Sequence, residues 1–475
     1  MRYAHTVESV RRAEAALMAT LPAGALMQRA AAGLAAVCID VLGSVYGARV
    51  VVLVGSGDNG GDALYAAARL ASRGAAVELV VLKPEAAHPD GLAAALRAGA
   101  RRTDKPAWDG VDLLVDGVVG IGGRPGLRDP ARTLIEDARA AGTYVVAVDV
   151  PSGVDVDGAT LPEPHVTADI TVTFGTHKPA LLAAPAVRAA GWVQLVDIGL
   201  VPYLDEAGLE SVESADVRAA YPLPSGESHK YTRGVVGVDA GSDRYAGAAE
   251  LCVRGAQAGP AGMVRFGGPD SVAAEIVARR PEAVAGRGRV QAWVVGSGTA
   301  DRADSALRAA AADEVPVVVD ADALAYWRPG MVRGALLTPH AGELARMLDV
   351  ERSVVEAAPL AYARQAAERL DATVLLKGSN TLIAERDRPT RVVSTGTPWL
   401  ATAGAGDVLA GLAGSLLAAG LPARDAGSLA AWLHGAASRR AAEYGRPITA
   451  GDVAGAIPAA TAAVLSAPAT PAPWA

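Results

Sequence analysis

The chain has 475 residues, which exceeds one typical domain of about 100–200 residues and predicts two large domains. Hydrophobic residues make up 51% of it but aromatic residues only 4%, so we expect cores built from Ala, Val and Leu. A net charge of −7 argues against a nucleic-acid partner, which requires a basic face. Cys38 and Cys252 lie in apolar helical segments without metal-ligand spacing, which indicates buried thiols in a reduced cytosolic protein.

Neither a signal peptide nor a membrane span is predicted. The N-terminus carries charged residues before a short apolar run at Ala30–Val41. The longest apolar run elsewhere, Leu409–Leu421, is shorter than the roughly 20 residues that a bilayer requires. We therefore expect a soluble, cytoplasmic protein with no membrane partner.

Short apolar runs alternate with alanine-rich segments in the first part of the chain. The predicted strands are Val50–Val54, Val77–Leu82, Leu113–Val115, Tyr144–Val148, Ile170–Phe174 and Val193–Val196. Near-continuous hydrophobic strands between helices indicate a mostly parallel sheet that is covered on both faces. Residues 202–230 are rich in Pro and Ser, which predicts a linker.

The same alternation restarts after this segment and predicts a second α/β domain. Its predicted strands are Val235–Val238, Met263–Phe266, Ala292–Val295, Val315–Val319, Ala335–Leu337, Val374–Leu376, Thr381–Ala384 and Arg391–Val393. Residues 466–475 are a Pro- and Ala-rich tail that we expect to be disordered. The expected domains are therefore 1–214 and 215–465, followed by the tail.

A glycine-rich loop follows the first predicted strand. Gly55, Gly57 and Gly60 match the G-x-G-x-x-G fingerprint of dinucleotide-binding domains. The loop also carries Asp58, Asn59 and Asp62, and two carboxylates beside a diphosphate would be repulsive. Asp62 could simply cap the following helix, whereas the Asp58 and Asn59 pair offers oxygen atoms to a cation. The ordinary fingerprint interpretation is therefore weakened.

Two further loops at predicted strand ends carry oxygen ligands. Asp116 precedes a glycine loop, and Asp149 is followed by Ser152. Each loop alone could be an ordinary turn. Because ligands of open α/β sheets collect outside the carboxyl ends of the strands, three such loops in one domain favour a single site.

Four segments of this domain together resemble the NAD(P)H-hydrate epimerase family: GSGDNGGDAL (55–64), DGVVGIGGRPG (116–126), AVDVPSGVDVDG (147–158) and TVTFGTHKPALL (171–182). This family forms the N-terminal half of bacterial bifunctional nicotinamide-nucleotide repair enzymes. Its members interconvert the R and S epimers at C6 of the hydrated nicotinamide ring in a pocket that holds K⁺. The resemblance implies a Rossmann-like three-layer domain.

The resemblance also implies the residues of the site. K⁺ would be coordinated by Asn59, Asp116 and Ser152, and Asp149 would be the catalytic acid or base, since epimerisation of a carbinolamine needs a proton shuttle. Lys178 could contact an anion or be solvated. The family usually has Asn where this chain has Asp58. The implied substrate-binding residues are Asp58, Asn59, Gly60, Gly61, Asp62, Gly120, Ile121, Gly122, Gly123, Arg124, Pro125, Gly126 and Asp149.

The second domain contains a phosphoryl-transfer signature, LATAGAGDVLAG, at residues 400–411. A turn of small residues opens a long Ala/Leu helix, so its backbone amides would form an anion hole at the positive end of the helix. Asp407 lies where it could take a proton from a hydroxyl group that attacks a phosphoryl group. The alternative is that Asp407 is an acidic N-cap.

This turn is typical of the ribokinase-like fold, and other motifs narrow the resemblance to the ADP/ATP-dependent NAD(P)H-hydrate dehydratase family over about residues 225–460. They are GSG (296–298), VDADAL (319–324), LTPHAGEL (337–344) and LLKGSNT (375–381). The family commonly has Pro where Ala341 stands and Gly-Leu-Gly around Gly298 and Thr299. As an isolated histidine, His340 could equally be structural. The resemblance implies hydrate binding by Ala248, Gly298, His340 and Asp407, and nucleotide binding by Lys377, Gly378, Ser379, Asn380, Thr381 and Gly406.

The two resemblances together imply a bifunctional enzyme that repairs hydrated NADH and NADPH (NADHX and NADPHX). We expect epimerisation of the R and S forms, followed by ADP-dependent dehydration of the S form with release of AMP and phosphate. The implied cofactors are K⁺ in the first domain, and Mg²⁺ with ADP as co-substrate in the second; a homo-oligomer is expected. Two alternatives stay open: a vitamin-precursor kinase such as hydroxyethylthiazole kinase, and, for the first domain alone, a binding module like those of RNA-decapping scaffolds.

Overall fold

The computed structural model describes residues 1–467, so most of the predicted tail at 466–475 lies outside the described residues. Ser466, which we placed in that tail, is the last residue of a helix. The chain divides into two compact units, Tyr3–Leu209 and the remainder, which comprises Met1–Arg2 and the chain from Glu210 onward. We call them the N-terminal and C-terminal units.

Seven parallel strands form the sheet of the N-terminal unit, in the order β4-β3-β2-β5-β6-β7-β8. The strands up to the unit boundary are β1 (Arg2–Ala4), β2 (Arg49–Val54), β3 (Ala76–Val81), β4 (Arg101–Arg102), β5 (Leu113–Gly117), β6 (Tyr144–Val148), β7 (Ile170–Phe174), β8 (Trp192–Val196) and β9 (Leu209–Ser211). The helices are α1 (Val7–Met18), α2 (Ala25–Leu42), α3 (Asp58–Ala71), α4 (Pro89–Arg97) and α5 (Ala131–Ala140). The order reverses beside β2 and β5, where an open α/β sheet forms its binding crevice.

Nine strands of the C-terminal unit follow one another in the order β18-β17-β16-β15-β14-β13-β10-β11-β12. They are β10 (Val235–Asp239), β11 (Met263–Phe266), β12 (Ala283–Ala285), β13 (Ala292–Val295), β14 (Val317–Val319), β15 (Leu336–Leu337), β16 (Thr373–Leu376), β17 (Thr381–Ala384) and β18 (Thr390–Val393). Pairing is parallel except at β16–β17 and β17–β18. The helices are α6 (Ser214–Ala220), α7 (Ala246–Ala258), α8 (Asp270–Arg279), α9 (Ala303–Ala311), α10 (Ala341–Leu348), α11 (Arg352–Ala357), α12 (Pro359–Leu370), α13 (Ala405–Ala418), α14 (Ala423–Ala441) and α15 (Ala450–Ser466).

The predicted α/β class is confirmed, and every predicted strand is present with its bounds within two residues. The stretch predicted as a linker differs, because it contains β9 and α6. A capping box between Glu213 and Asp216 begins α6, so local polar side chains satisfy its first amides without an apolar sequence pattern. Composition alone therefore did not predict this short helix.

Helix α2 is longer than the apolar run seen in the sequence. Among the described residues it is the one helix that is long and apolar enough to cross a membrane, a test of length and composition that buried helices of soluble proteins also pass. One face of α2, including Ala30, Leu34 and Cys38, packs into the core of the N-terminal unit. Both cysteines are buried free thiols, as predicted.

Close helix packing contributes to the core of the C-terminal unit, beside the buried side chains of Trp293 and Phe266. Helices α7 and α13 approach each other through glycines: a Cβ at Gly255 would overlap the carbonyl oxygen of Val408, and one at Gly411 would overlap that of Cys252. Since backbone atoms cannot move aside as a flexible side chain can, these positions require Gly. The contact holds in place the start of α13, where Asp407 lies.

We predict that Gly255→Ala destabilises the C-terminal unit by about 1–3 kcal/mol, because the added methyl group overpacks a backbone contact. Gly247→Ala is the matched control: it lies on the same helix with nothing within 4 Å of the added Cβ, so we expect no loss of stability. Hydrogen exchange of peptides from α7 and α13 measures both effects. Equal protection in the two variants would contradict this account of the packing.

Candidate active sites

Three loops meet at the carboxyl ends of β2, β5 and β6 in the N-terminal unit. The Ser152 hydroxyl donates to Asp116 Oδ1 at 2.7 Å, and the Ser152 amide donates to Oδ2 at 2.9 Å. Asn59 Oδ1 lies 2.7 Å from the position that a Cβ of Gly120 would occupy. The residues expected to hold K⁺ are thus brought to one crevice.

Asp116 is a fully buried carboxylate held by neutral groups. Besides Ser152 it accepts a hydrogen bond from the Val118 amide at 3.3 Å, and burial raises its pKa to about 6. The surrounding oxygen atoms include Ser152 Oγ and the Val119 carbonyl, and Asn59 Nδ2 is buried without a hydrogen-bond partner among the described residues. A buried carboxylate among neutral oxygen ligands suits a hard cation, which would compensate its charge.

Asp149 forms a buried ion pair with Lys178, at 2.5 Å between Oδ1 and Nζ. Lys178 is 1% exposed and also donates to Thr173 Oγ1 (2.9 Å) and the Phe174 carbonyl (3.1 Å). Asp149 has φ 68°, a left-handed conformation that is uncommon for a non-glycine residue and is concentrated at functional sites. The interpretation of Lys178 as a solvated side chain is therefore wrong, and the anion that it contacts among the described residues is the Asp149 carboxylate.

Asp62 is a buried carboxyl group next to this pair. It does not cap the helix, because α3 begins at Asp58 with Gly57 as its N-cap. Its Oδ1 has no hydrogen-bond partner among the described residues. Burial, followed by the charges of Asp149, Asp58 and Glu14, raises the pKa of Asp62 well above its ordinary value. Asp62 therefore keeps its proton to higher pH than an ordinary aspartate.

Glu14 is a residue of this crevice that sequence reasoning missed. It lies on α1, and burial raises its pKa while Lys178 lowers it. Arg11, one turn earlier on the same helix, places its guanidinium 3.3 Å from where a Cβ of Gly122 would be. Nothing in the sequence near α1 resembles the four motifs, so only the tertiary structure reveals this contribution.

Two glycines of the fingerprint allow close contacts between backbone segments at this crevice. A Cβ at Gly55 would overlap the carbonyl oxygen of Val118, and one at Gly60 would overlap that of Gly55. The loop at residues 120–126 turns through a bond from the Gly123 amide to the Gly120 carbonyl, at 3.0 Å. Two of the predicted substrate-binding residues, Gly60 and Gly61, lie in the first turn of α3, and the loop at residues 120–126 contains Gly120, Ile121, Gly122, Gly123, Arg124, Pro125 and Gly126.

A partly buried lysine also organises the strand ends of the C-terminal unit. Lys377, directly after β16, donates to Asp320 Oδ1 at 2.9 Å, and Asp320 also accepts from Thr338 at 2.7 Å and Ser297 at 3.1 Å. Burial lowers the pKa of Lys377, but the charges of Asp320, Glu343 and Asp407 outweigh it and raise the pKa overall. Lys377 therefore stays protonated and positively charged at neutral pH.

Asp407 lies in the first turn of α13, beside Lys377. The N-cap is Gly404 (φ 86°), so the alternative that Asp407 caps this helix is wrong. Burial and the charge of Asp320 raise the pKa of Asp407 to about 7. A Cβ on the preceding Gly406 would lie 3.3 Å from Lys377 Nζ. A carboxyl group that titrates near neutrality and a lysine thus flank the amino end of one helix.

A cavity of about 550 Å³ extends from this point. It is lined by five of the six predicted nucleotide-binding residues: Lys377, Gly378, Ser379, Thr381 and Gly406. The amide of the sixth, Asn380, donates to the Ser394 hydroxyl at 2.7 Å. Sequence reasoning did not assign the other lining residues that follow to the nucleotide site, and those on α14 carry no motif: Pro398, Leu400, Leu409, Ala431, His434 and Gly435.

The predicted hydrate-binding residues lie around the same strand ends. A Cβ at Gly298 would be 2.8 Å from Ala248 Cβ, so these two positions adjoin. His340 is the N-cap of α10: its Nδ1 accepts from the amides of Gly342 (3.0 Å) and Glu343 (3.1 Å). The structural role considered for His340 is therefore real, yet its side chain is 53% exposed and its ring is accessible to a ligand.

Comparison with known proteins identifies the combination of these two units. The family described as YjeF-related protein N-terminus matches residues 23–180, and the family described as NAD(P)H-hydrate dehydratase matches residues 236–459. The chain is 45% identical to the bifunctional NAD(P)H-hydrate repair enzyme Nnr of Mycobacterium tuberculosis over 444 residues, covering 90% of this chain and 91% of that one. This chain belongs to the bifunctional NAD(P)H-hydrate repair enzyme family. The Nnr protein of Mycobacterium leprae is also 45% identical, with 94% of this chain and 95% of that one covered.

Solved structures match the C-terminal unit of this family member. An ADP/ATP-dependent NAD(P)H-hydrate dehydratase from Bacillus subtilis, co-crystallised with ATP and Mg²⁺, is 29% identical with a TM-score of 0.50; the match covers 54% of this chain and 98% of that chain. A ribokinase-like superfamily protein from Enterococcus faecalis, at 20% identity and a TM-score of 0.50, shares the fold. The ribokinase-like fold predicted for the second domain is thereby confirmed.

We predict that Lys178→Met destabilises the N-terminal unit by about 3–5 kcal/mol, because it leaves the buried Asp149 carboxylate without its partner. The double variant Lys178→Met/Asp149→Asn should recover part of this loss, since no unpaired charge is then buried. Hydrogen exchange of peptides from β6 and β7 measures the change. Lys105→Met, at an exposed lysine of the same unit, is the control; a Lys178 effect as small as this one would refute the buried pair.

Proposed function

We propose that this chain repairs hydrated NADH and NADPH in two steps. Residues 1–214 would epimerise R- and S-NAD(P)HX, and residues 215–465 would dehydrate S-NAD(P)HX to NAD(P)H with conversion of ADP to AMP and phosphate. The observation that carries the proposal is the arrangement of Lys377 and Asp407 at the amino end of α13, with a nucleotide-sized cavity beside them. Family membership over nearly the whole chain supports the pairing with an epimerase.

In the epimerase site, Asp62 would donate its proton to the departing C6 hydroxyl group. The C6–O bond then breaks, the ring nitrogen supplies the electron pair, and an iminium ion and water result. Water adds to the opposite face of C6 and gives one proton to the carboxylate of Asp149, and transfer of that proton to Asp62 restores the starting state of the site. The ion pair with Lys178 fixes the position of Asp149 during both steps.

K⁺ would be held by Asn59, Asp116 and Ser152. Supporting this assignment are the buried, unpaired carboxylate of Asp116 and the neutral oxygen atoms around it. Bound K⁺ would supply a positive charge that compensates Asp116 and holds the three loops against the substrate. The substrate-binding residues proposed for this site are residues 58–62 at the start of α3, the loop at residues 120–126 and Asp149.

In the dehydratase site, Asp407 would take the proton of the C6 hydroxyl group as its oxygen attacks the terminal phosphoryl group of ADP. AMP leaves, and the α13 amides and Lys377 stabilise the charge on the phosphoryl oxygens. Phosphate then departs from C6 with the C–O electrons, and loss of a C5 proton restores the dihydronicotinamide. Ala248, Gly298 and His340 would hold the hydrate, while residues 377–381 and Gly406 would hold the nucleotide.

Mg²⁺ would enter this site with the nucleotide, since it is usually bound by phosphates and one or two carboxylates. Asp320 already accepts hydrogen bonds from three donors. Two further carboxylates lie at this site: Glu343, 3.9 Å from Lys377 Nζ, and Asp322, whose charge acts on Asp407. Bound Mg²⁺ would neutralise phosphate charge. Among residues 1–467 no group of three His, Cys, Asp or Glu side chains is placed to hold a metal ion.

ADP is the proposed phosphoryl donor because the two domains are fused in one chain, as in bacterial family members. The proposed location is the cytoplasm, with small-molecule substrates NADHX and NADPHX and with neither nucleic acid nor membrane as a partner. We propose a homo-oligomer as the assembled form.

Two single substitutions should separate the activities. We expect Asp407→Ala to lower ADP-dependent recovery of absorbance at 340 nm from purified S-NADHX by about 10²–10⁴-fold, since the general base is lost, while epimerisation continues. We expect Asp149→Ala to leave the S form consumed and the R form stranded. Undiminished recovery in the first variant, or consumption of R beyond the spontaneous rate in the second, would refute the respective role.

The dehydratase should depend on pH through Asp407. A base must be deprotonated, and because the pKa of Asp407 is raised to about 7, we expect kcat/KM to fall tenfold per pH unit below about 7. The measurement uses a fixed concentration of the magnesium complex of ADP, so that titration of free phosphate does not contribute. A flat profile between pH 5 and pH 7 would exclude Asp407 as the base.

A further inference from the structure

One wall of the nucleotide cavity carries a polar atom that the proposed function does not use. Ala431, His434 and Gly435 lie three and four positions apart on α14 and therefore share one face, which lines the cavity. The side chain of His434 is 5% exposed. Its Nε2 is buried and has no hydrogen-bond partner among the described residues.

The surroundings of His434 fix its charge. Burial lowers its pKa to about 4, and the positive charge of Lys377 acts in the same direction, so the ring is neutral near pH 7. A hydrogen bond with the Ala405 backbone acts in the opposite direction. A bond that favours the protonated ring is one in which the ring donates to a carbonyl group.

These contacts also fix the tautomer. Since Nε2 has no partner, the ring atom that donates to the Ala405 carbonyl is Nδ1. A neutral imidazole carries one N–H, so Nε2 presents a lone pair and can only accept a hydrogen bond. Any group that satisfies it must therefore be a donor.

We propose that His434 determines nucleotide specificity by accepting a hydrogen bond from the nucleoside of bound ADP at Nε2. The phosphates of ADP at neutral pH offer acceptors only, and they would lie against Lys377 and the α13 amides. The donors of ADP are the adenine amino group and the ribose hydroxyl groups. The apolar side chains that also line the cavity, including Leu400 and Leu409, suit the face of a base. This inference rests on the proposed nucleotide site.

The test measures binding of ADP and its analogues to the full chain by calorimetry, with Mg²⁺ present. Inosine diphosphate lacks the amino donor, and 2′-deoxy-ADP and 3′-deoxy-ADP each lack one hydroxyl donor. We expect the unmodified protein to bind one of these analogues about tenfold more weakly than ADP, because a site that expects a hydrogen bond rejects a ligand without it. The analogue that is rejected identifies the donor.

Two polar substitutions at position 434 test whether the discrimination among nucleotides depends on Nε2. Asn at position 434 keeps an amide nitrogen near Nδ1 but removes Nε2, so His434→Asn should bind ADP about tenfold more weakly and lose the discrimination. His434→Gln places a polar atom near Nε2 and should retain part of it. Ser438→Ala is the matched control, because Ser438 is buried one turn later on α14 and bonds to the Gly435 carbonyl; it should discriminate like the unmodified protein.

Folding of each variant is checked within the same chain. Epimerase activity reports on the N-terminal unit, and hydrogen exchange of α13 and α14 reports on the C-terminal unit. If His434→Asn does not fold, the analogue series on unmodified protein decides: equal affinity for ADP and all three analogues overturns the inference. Unchanged discrimination in a folded His434→Asn variant also overturns it.

The calorimetric test can distinguish failure of the inference on His434 from failure of the proposed dehydratase activity. Calorimetry needs no hydrated substrate, so discriminating ADP binding without ADP-dependent recovery of NADH would refute the dehydratase and uphold His434. Recovery of NADH with no discrimination among the diphosphates would refute His434 and uphold the dehydratase. Absence of ADP binding overturns the inference on His434.

Discussion

In each unit, one lysine is paired with one buried aspartate at a strand end, and the rest of the site is arranged around that pair. Lys178 pairs with Asp149 in the N-terminal unit, and Lys377 with Asp320 in the C-terminal unit. A charge buried alone is strongly unfavourable, so each lysine fixes the position of its partner. A second carboxyl group near each pair is then close to the negative charge of the paired aspartate and forms no ion pair with the lysine. That carboxyl is Asp62 in one unit and Asp407 in the other, and both have raised pKa values. Burial first, and then the like charges nearby, raise the pKa of one carboxyl group in each unit, which suits it to the proton transfer proposed there.

Backbone proximity is the second requirement of both sites. The backbone at Gly55 can approach Val118, and that at Gly60 can approach Gly55, only because neither glycine has a Cβ. Helix α7 approaches α13 in the same way, through Gly255 and Gly411. With 4% aromatic residues, the cores are filled by close backbone approach and by Ala, Val and Leu side chains. This packing makes the loops and the start of α13 rigid, which a positioned acid or base requires.

Strand ends were predictable from the sequence, whereas partners across the fold were not. Asp116 and Asp149 were located because a hydrophobic run marks each strand and its end, and parallel strands bring such ends together. The alternatives in which Asp62 and Asp407 cap their helices were wrong, because Gly57 and Gly404 are the N-caps, in backbone conformations that the sequence does not display. The partner of Lys178 depends on how β6 and β7 lie side by side. No local pattern encodes that contact.

Helical residues of the sites were missed for a related reason. Glu14 and His434 lie on helices whose sequences are typical of ordinary amphipathic or buried segments. Their places at the two sites are recognised only from the packing of each helix against a strand end or a cavity. Motif resemblance is strongest at loops, because a loop that contacts a ligand tolerates few residue types. A helix face tolerates many, provided that one position offers the correct atom. Specificity for a ligand can therefore reside where a motif search finds nothing, and a buried polar atom without a partner is the physical signal that reveals it.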